Sequence, residues 1–183
     1  MLLNYNNISP NSSQFKKIEQ LLVDSFPVDE RRDMLDFERI ARENPRFALH
    51  GALDGNNVIG FISTWDFESF CYMEHFAVDS SVRNQGIGSQ VLDHFVAQAV
   101  KPLILEVELP TCELACRRIA FYKRHRFVLW EDVDYVQPSY SPSRQALPLR
   151  LMTSGFDTAT AVEAAAREIK RVVYGHGASS RPH

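Results

Sequence analysis

The chain has 183 residues, 45% of them hydrophobic and 23% charged, with a formal net charge of −3. A chain of this length buries roughly 70% of its unfolded surface, enough for one domain with a substantial core. The negative balance and the lack of a lysine–arginine cluster argue against a nucleic-acid partner, and three cysteines in no tight framework suit a reducing compartment. The opening Met1-Leu2-Leu3-Asn4-Tyr5 has neither the basic region nor the long apolar run of a signal peptide. No segment approaches the roughly 18 apolar residues of a membrane span, so a cytoplasmic protein without a membrane partner is the expectation.

Residues 2–8 suit an opening strand. Pro10-Asn11-Ser12-Ser13 is a turn and cap cluster, after which Phe15, Ile18, Leu21, Leu22 and Phe26 follow helical spacing. Pro27 ends that helix. A second helix, capped by Asp29 and carrying Met34, Leu35, Phe37, Ile40 and Ala41, stops at Asn44-Pro45. Strands are expected over 47–53, 58–67 and 71–78, the first two joined by the hairpin turn Asp54-Gly55-Asn56-Asn57. On the third, Tyr72, Glu74, Phe76 and Val78 share one face; Cys71, Met73, His75 and Ala77 share the other. His75 therefore reads as a core or sheet residue and not as a partner of Glu74.

The segment that follows organises the chain. Phe76-Ala77-Val78-Asp79-Ser80-Ser81-Val82-Arg83-Asn84-Gln85-Gly86-Ile87-Gly88-Ser89 runs from strand to polar loop to helix, and Ile87, Val91, Leu92, Phe95, Val96 and Ala99 continue at helical spacing, with His94 on the polar side. Unpaired N–H groups and the macrodipole make a helix start attractive to a phosphate. Gly86 and Gly88 let an anion approach the backbone, and Arg83 adds a fixed charge with a forked donor set. A Walker loop is excluded because no lysine follows Gly88; a dinucleotide fingerprint is excluded because Val91 stands where its third glycine belongs.

Lys101-Pro102 breaks the helix. A strand over 103–109 carries Glu106 and Glu108 on one face, a helix over 113–125 follows, and strands are expected over 127–136 and 147–152 around a proline- and serine-rich loop. Residues 157–174 form a last helix with Val162, Ala165, Ala166, Ile169, Val172 and Val173 on its apolar side, which must pack on its own sheet or on a second subunit in a homodimer. The tail from Gly175 reads as disordered. Cys112 and Cys116, four apart, lack further ligands for a metal site and read as buried structural cysteines.

The run Arg83-x-x-Gly86-x-Gly88 after a strand ending Ala77-Val78 resembles the coenzyme A loop of the GNAT superfamily of N-acetyltransferases. Arg117-Arg118-Ile119-Ala120-Phe121-Tyr122-Lys123-Arg124-His125-Arg126-Phe127 resembles its late helix, although Arg126 replaces the usual glycine and Ala115 the usual asparagine. The first departure suggests a different helix end, since glycine normally supplies the left-handed cap. The element order fits over residues 1–153, leaving 154–183 as an added helix and tail.

The resemblance implies an α/β fold with a mixed, mostly antiparallel sheet, a central splayed parallel strand pair and helices on both faces. It implies acetyl-CoA as acetyl donor without a metal. Phe76, Ala77 and Val78 would hold the pantetheine arm and acetyl carbonyl; Arg83, Asn84, Gln85, Gly86, Ile87, Gly88 and Ser89 would hold the pyrophosphate. Tyr122 stands at the position of the proton donor to the departing thiolate. For the base that takes a proton from the amine, Glu106 and Glu74 are both candidates, and a water chain is the alternative. Each glutamate has an ion pair as its ordinary explanation. The implied activity is acetyl transfer to a primary amine of a small molecule or peptide; a silent acyl-coenzyme A sensor on the same fold is the alternative. Asp66, Glu68, Glu74, Glu106, Glu108, Glu131, Asp132 and Asp134, with Trp65, Phe67, Tyr135 and Tyr140, suggest a cationic acceptor.

Overall fold

The computed structural model describes residues 3–175; the expectations for residue 2 and for residues 176–183 of the tail lie outside them. The fold is mixed α/β. Its contacts divide it into two compact units, Met1–Leu103 and Ile104–His183.

In the first unit β1 (Leu3–Asn7), β2 (Phe47–Asp54), β3 (Asn57–Asp66) and β4 (Cys71–Val78) pair in that order, each antiparallel to the next. Gly55 in the β2–β3 turn has φ 60°, a left-handed conformation suited to a hairpin. α1 (Phe15–Ser25) buries Phe15, Ile18, Leu21 and Leu22, the stripe its spacing predicts. It ends where Pro27 holds Phe26 extended. α2 (Met34–Glu43) starts later than expected. Its cap is Asp33, whose carboxylate accepts from the Asp36 N–H at 2.9 Å, while Asp29 lies in a short 3-10 turn over Val28–Glu30.

The helices cover both faces of the strands. Phe47 meets Phe37 of α2, with ring centroids 5.8 Å apart. His50, three residues on and so on the other face, meets Phe95 of α3 (Ile87–Gln98) at 5.1 Å.

The second unit holds nearly all of β5 (Leu103–Glu108), then α4 (Glu113–Arg124), β6 (Val128–Gln137), β7 (Leu147–Ser154) and α5 (Ala159–Val172). Its strand order is β5-β7-β6, with β6 and β7 antiparallel. Thr158 caps α5 by accepting from the Ala161 N–H at 3.2 Å. α5 packs against β6 and buries Val162, Ala165, Ala166, Ile169 and Val173. Each full burial of a valine or isoleucine is worth roughly 1.5–3 kcal/mol, so the apolar side of α5 is covered within its own chain. Among the described residues no helix is long and apolar enough to cross a membrane.

Candidate active site

The loop after β4 is tied down at its first residue. The Asp79 carboxylate accepts from Lys17 Nζ at 2.5 Å, from the Ser81 N–H at 3.0 Å and from Ser81 Oγ at 2.7 Å. The lysine first, then the serine, hold this carboxyl well below the usual carboxylate range. A short 3-10 turn over Ser80–Val82 follows, and Arg83 Nε donates to the Val78 carbonyl at 3.0 Å, clipping the loop to the strand end.

Asn84 has φ 62° and Gly86 has φ 76°, and α3 begins at once. Intrahelical bonding starts with the Gln90 N–H on the Gly86 carbonyl at 3.1 Å, so the N–H groups of Ile87, Gly88 and Ser89 precede it. A Cβ added to Gly86 would meet no atom within 4 Å. The glycine thus serves the left-handed turn and leaves open space over the helix start. Oriented N–H groups, a helix dipole, an exposed arginine and an open approach fit the pyrophosphate of coenzyme A. Phe76, Ala77 and Val78 lie on β4 opposite Ile62, Phe61 and Gly60, leading directly into this loop.

Glu74 is treated differently from what strand alternation implies. In the β3–β4 ladder Ser63 faces His75 and Thr64 faces Met73, so Glu74 is the extra residue of a bulge, which re-aims its side chain. Its carboxylate, 1% exposed, accepts from Arg32 Nη2 at 3.2 Å and from Trp65 Nε1 at 2.7 Å. The Arg32 guanidinium, 6% exposed, also approaches the Trp65 ring at 5.4 Å. This is a buried ion pair, the ordinary explanation for a glutamate in such a strand, with Arg32 as its cation.

His75 is a core residue, as the sequence suggests. Ser63 Oγ lies 3.0 Å from Nδ1, Nε2 lies 3.2 Å from the Glu30 carbonyl, and burial lowers the imidazole pKa. The bulge does bring Nδ1 within 3.9 Å of Glu74, against the expectation of opposite faces.

Glu106 lies on β5 in the second unit. Tyr135 of β6 donates its hydroxyl to Oε1, and the Tyr174 hydroxyl lies 3.3 Å from Oε1 and 3.1 Å from Oε2. The Tyr140 hydroxyl lies 3.5 Å from that of Tyr174. Burial, then the Glu106 charge, hold the Tyr135 phenol well above its ordinary range, so it remains a donor. Nothing in the local sequence marks Tyr174 for this place; the only signal is that it ends the apolar stripe of α5.

Tyr122 lies near the end of α4, its ring against Phe121 and Phe127 at 5.3 and 5.7 Å. Burial pushes the phenol up to about 12, so at neutral pH it carries its proton. The helix end differs from expectation. Arg126 itself takes the left-handed conformation, φ 68°. The Phe127 N–H bonds the Tyr122 carbonyl and the Arg126 N–H the Lys123 carbonyl, each at 3.1 Å. With the Tyr122–Phe127 ring contact this is a complete Schellman cap built without glycine.

Much of the acidic side is already neutralised. Asp66 pairs with Lys101, Glu74 with Arg32, Glu108 with Arg118 and Asp134 with Arg150, four of the eight carboxylates singled out. Three of the aromatic rings likewise face the protein's own cations: Arg32 over Trp65, Arg46 over Phe67 and Lys170 over Tyr135. Cys112 and Cys116 are exposed, not buried, because Cys112 precedes α4 as its cap residue and both sit at its solvent side. Among the described residues no group of three or more histidines, cysteines or acids is placed to hold a metal.

The acetyltransferase (GNAT) family model matches residues 15–127. An acetyltransferase assigned to the GNAT family from Bacteroides thetaiotaomicron superposes with a TM-score of 0.88 at 38% identity, over 94% of this chain and 98% of that one. A GNAT family acetyltransferase from Elizabethkingia anophelis, solved with acetyl-CoA bound, gives 0.59 at 15% identity over 84% and 98% of the two chains. The ribosomal-protein-S18-alanine N-acetyltransferase of Escherichia coli gives 0.58 at 16% identity over 86% and 96%. No curated protein matches. The chain belongs to the GNAT family, and it is an acyltransferase enzyme.

Proposed function

We propose that the protein transfers the acetyl group of acetyl-CoA to a primary amine of a small molecule or peptide by direct attack. The observation that carries this reading is the loop from Val78 to Ile87. There a left-handed Gly86 opens the N-terminus of α3 beside Arg83, a geometry suited to the coenzyme A pyrophosphate.

In the reaction the amine nitrogen attacks the thioester carbonyl. A C–N bond forms, the C–S bond breaks, the thiolate leaves, and the second proton of the attacking nitrogen passes to water as the amide forms, from which the donor to the thiolate regains its own. A free alkylamine has a pKa near about 10.4, so most of the acceptor arrives as ammonium and must lose a proton. Glu106 is the group assigned to that proton, because the phenols of Tyr135 and Tyr174 hold its carboxylate in place. Tyr122, whose phenol keeps its proton at neutral pH, is assigned to protonate the thiolate.

The acceptor's cationic character enters as the reacting ammonium itself, which Glu106 attracts. With half of the acidic side paired internally, a broad negative field is not required. The test is to incubate the protein with acetyl-CoA and a panel of amines: linear polyamines, amino sugars, lysine amides and peptides with free amino termini. Coenzyme A thiol release, with a product heavier by one acetyl group, supports the assignment. Tight acetyl-CoA binding with no thiol release across the panel would make the protein a sensor instead.

A further inference from the structure

The family model ends at residue 127, yet the candidate base is held by a side chain from well beyond that limit. Tyr174 stands two residues past the end of α5 and places its hydroxyl 3.1 Å from Glu106 Oε2. Tyr135, from β6, donates to Oε1 of the same carboxylate. A phenol proton given to Glu106 leaves the Tyr174 oxygen to accept from Tyr140, 3.5 Å away. The result is a chain of hydroxyls ending on one carboxylate, in which each bond strengthens the next.

We infer that Tyr174 is a positioning residue for Glu106, supplied by the added C-terminal helix: it fixes both carboxylate oxygens and favours their charged form, so that Glu106 meets the acceptor ammonium ionised and in one orientation. The inference rests on the assignment of Glu106 as the proton acceptor.

Two hydroxyl donors stabilise a carboxylate over its protonated acid. They also fix the ring of choices open to a glutamate, whose terminal torsion is otherwise broad. Lys170 of α5, whose Nζ lies 4.7 Å from the Tyr135 ring centroid, and Glu108 of β5, which pairs with Arg118, are also charged groups on these elements. Neither contact involves the Tyr174 hydroxyl. The packing of α5 does not require that hydroxyl either, because its buried contacts are Val162, Ala165, Ala166, Ile169 and Val173. Tyr174→Phe therefore removes one donor and keeps the ring.

The experiment follows Glu106 directly in the full-length protein labelled with 13C at the glutamate carboxyls, with Glu106→Gln identifying its signal. In Tyr174→Phe the Glu106 titration midpoint moves to higher pH by about half to one unit. The acidic limb of kcat/KM, measured with a linear polyamine and with a tripeptide amide, moves the same way, and KM for acetyl-CoA stays constant. A midpoint that does not move in Tyr174→Phe overturns the inference, whatever the kinetics. Thermal melting is recorded alongside: a midpoint shift with unchanged melting supports positioning, and a melting loss without a midpoint shift makes Tyr174 only structural. An acidic limb that survives in Glu106→Gln instead overturns the assignment of Glu106 as base, and the two failures are thereby told apart.

Discussion

Replacing Glu74 by glutamine separates a structural carboxylate from a catalytic one. The Arg32 and Glu74 side chains are 6% and 1% exposed and 3.2 Å apart. Removing one partner of such a buried pair costs about 3–5 kcal/mol, because the remaining charge stays buried. Two features of the site reduce that cost. Asp36 lies 3.6 Å from the other Arg32 terminal nitrogen and keeps part of the compensation. A glutamine side-chain oxygen can still accept from Trp65 Nε1, the 2.7 Å bond of the native residue.

A loss of about 2–3 kcal/mol follows, below the cost of an uncompensated buried charge. For a chain of this size each kcal/mol is worth about 2–4 °C, so Tm falls by roughly 4–12 °C. The double variant Arg32→Met with Glu74→Leu removes both charges and recovers part of that loss, since apolar replacement of a buried pair is often neutral. Thermal melting without ligand gives Tm, and turnover is measured well below the lowest melting point. Glu74→Gln is expected to keep kcat within about threefold of the parent, far from the 10²–10⁴-fold contribution of a general base. A variant with unchanged Tm and a kcat loss of that size would refute the structural assignment and make Glu74 the base.

Three further outcomes are expected. Tyr122→Phe lowers kcat by about 10²-fold or more with little change in KM for acetyl-CoA; unchanged turnover at saturating substrate excludes the tyrosine as proton donor. Because burial raises that phenol to about 12, its contribution to stability is complete below the unfolded pKa of about 10 and is lost as pH rises through the folded value. Alkaline melting curves of the parent therefore fall more steeply than those of the phenylalanine variant. Gly86→Ala meets no neighbouring atom but must hold φ 76°, so it costs about 1–2 kcal/mol in the backbone; KM for acetyl-CoA rises more than Tm falls, and calorimetric binding checks the affinity. Arg126→Gly relieves φ 68° at the α4 cap and, after the larger chain entropy of glycine, raises Tm by about 2–4 °C; a lower Tm would show that the arginine side chain contributes more than its strain costs.

The parts of this protein readable from its sequence are those whose causes lie close together along the chain. The apolar stripe of α1, the turn at Gly55 and the passage from Val78 through Gly86 into α3 each depend on spacing, a cap or a dihedral preference within one short segment. The start of α2 was misplaced by four residues because Asp29 and Asp33 are equally good caps locally, and only Asp33 meets the N–H of Asp36. At the end of α4 the missing glycine suggested a different terminus, yet Arg126 accepts the left-handed strain because the Tyr122–Phe127 contact and two backbone bonds outweigh it.

The surroundings of the two glutamates were decided only by tertiary structure. Both sit in otherwise apolar strands, and no local rule distinguishes them. A bulge and an arginine 42 residues away commit Glu74 to an ion pair, while hydroxyls 29 and 68 residues away reach Glu106. Burial makes each carboxylate need a partner, and which partner it finds depends on the folding of distant segments onto it.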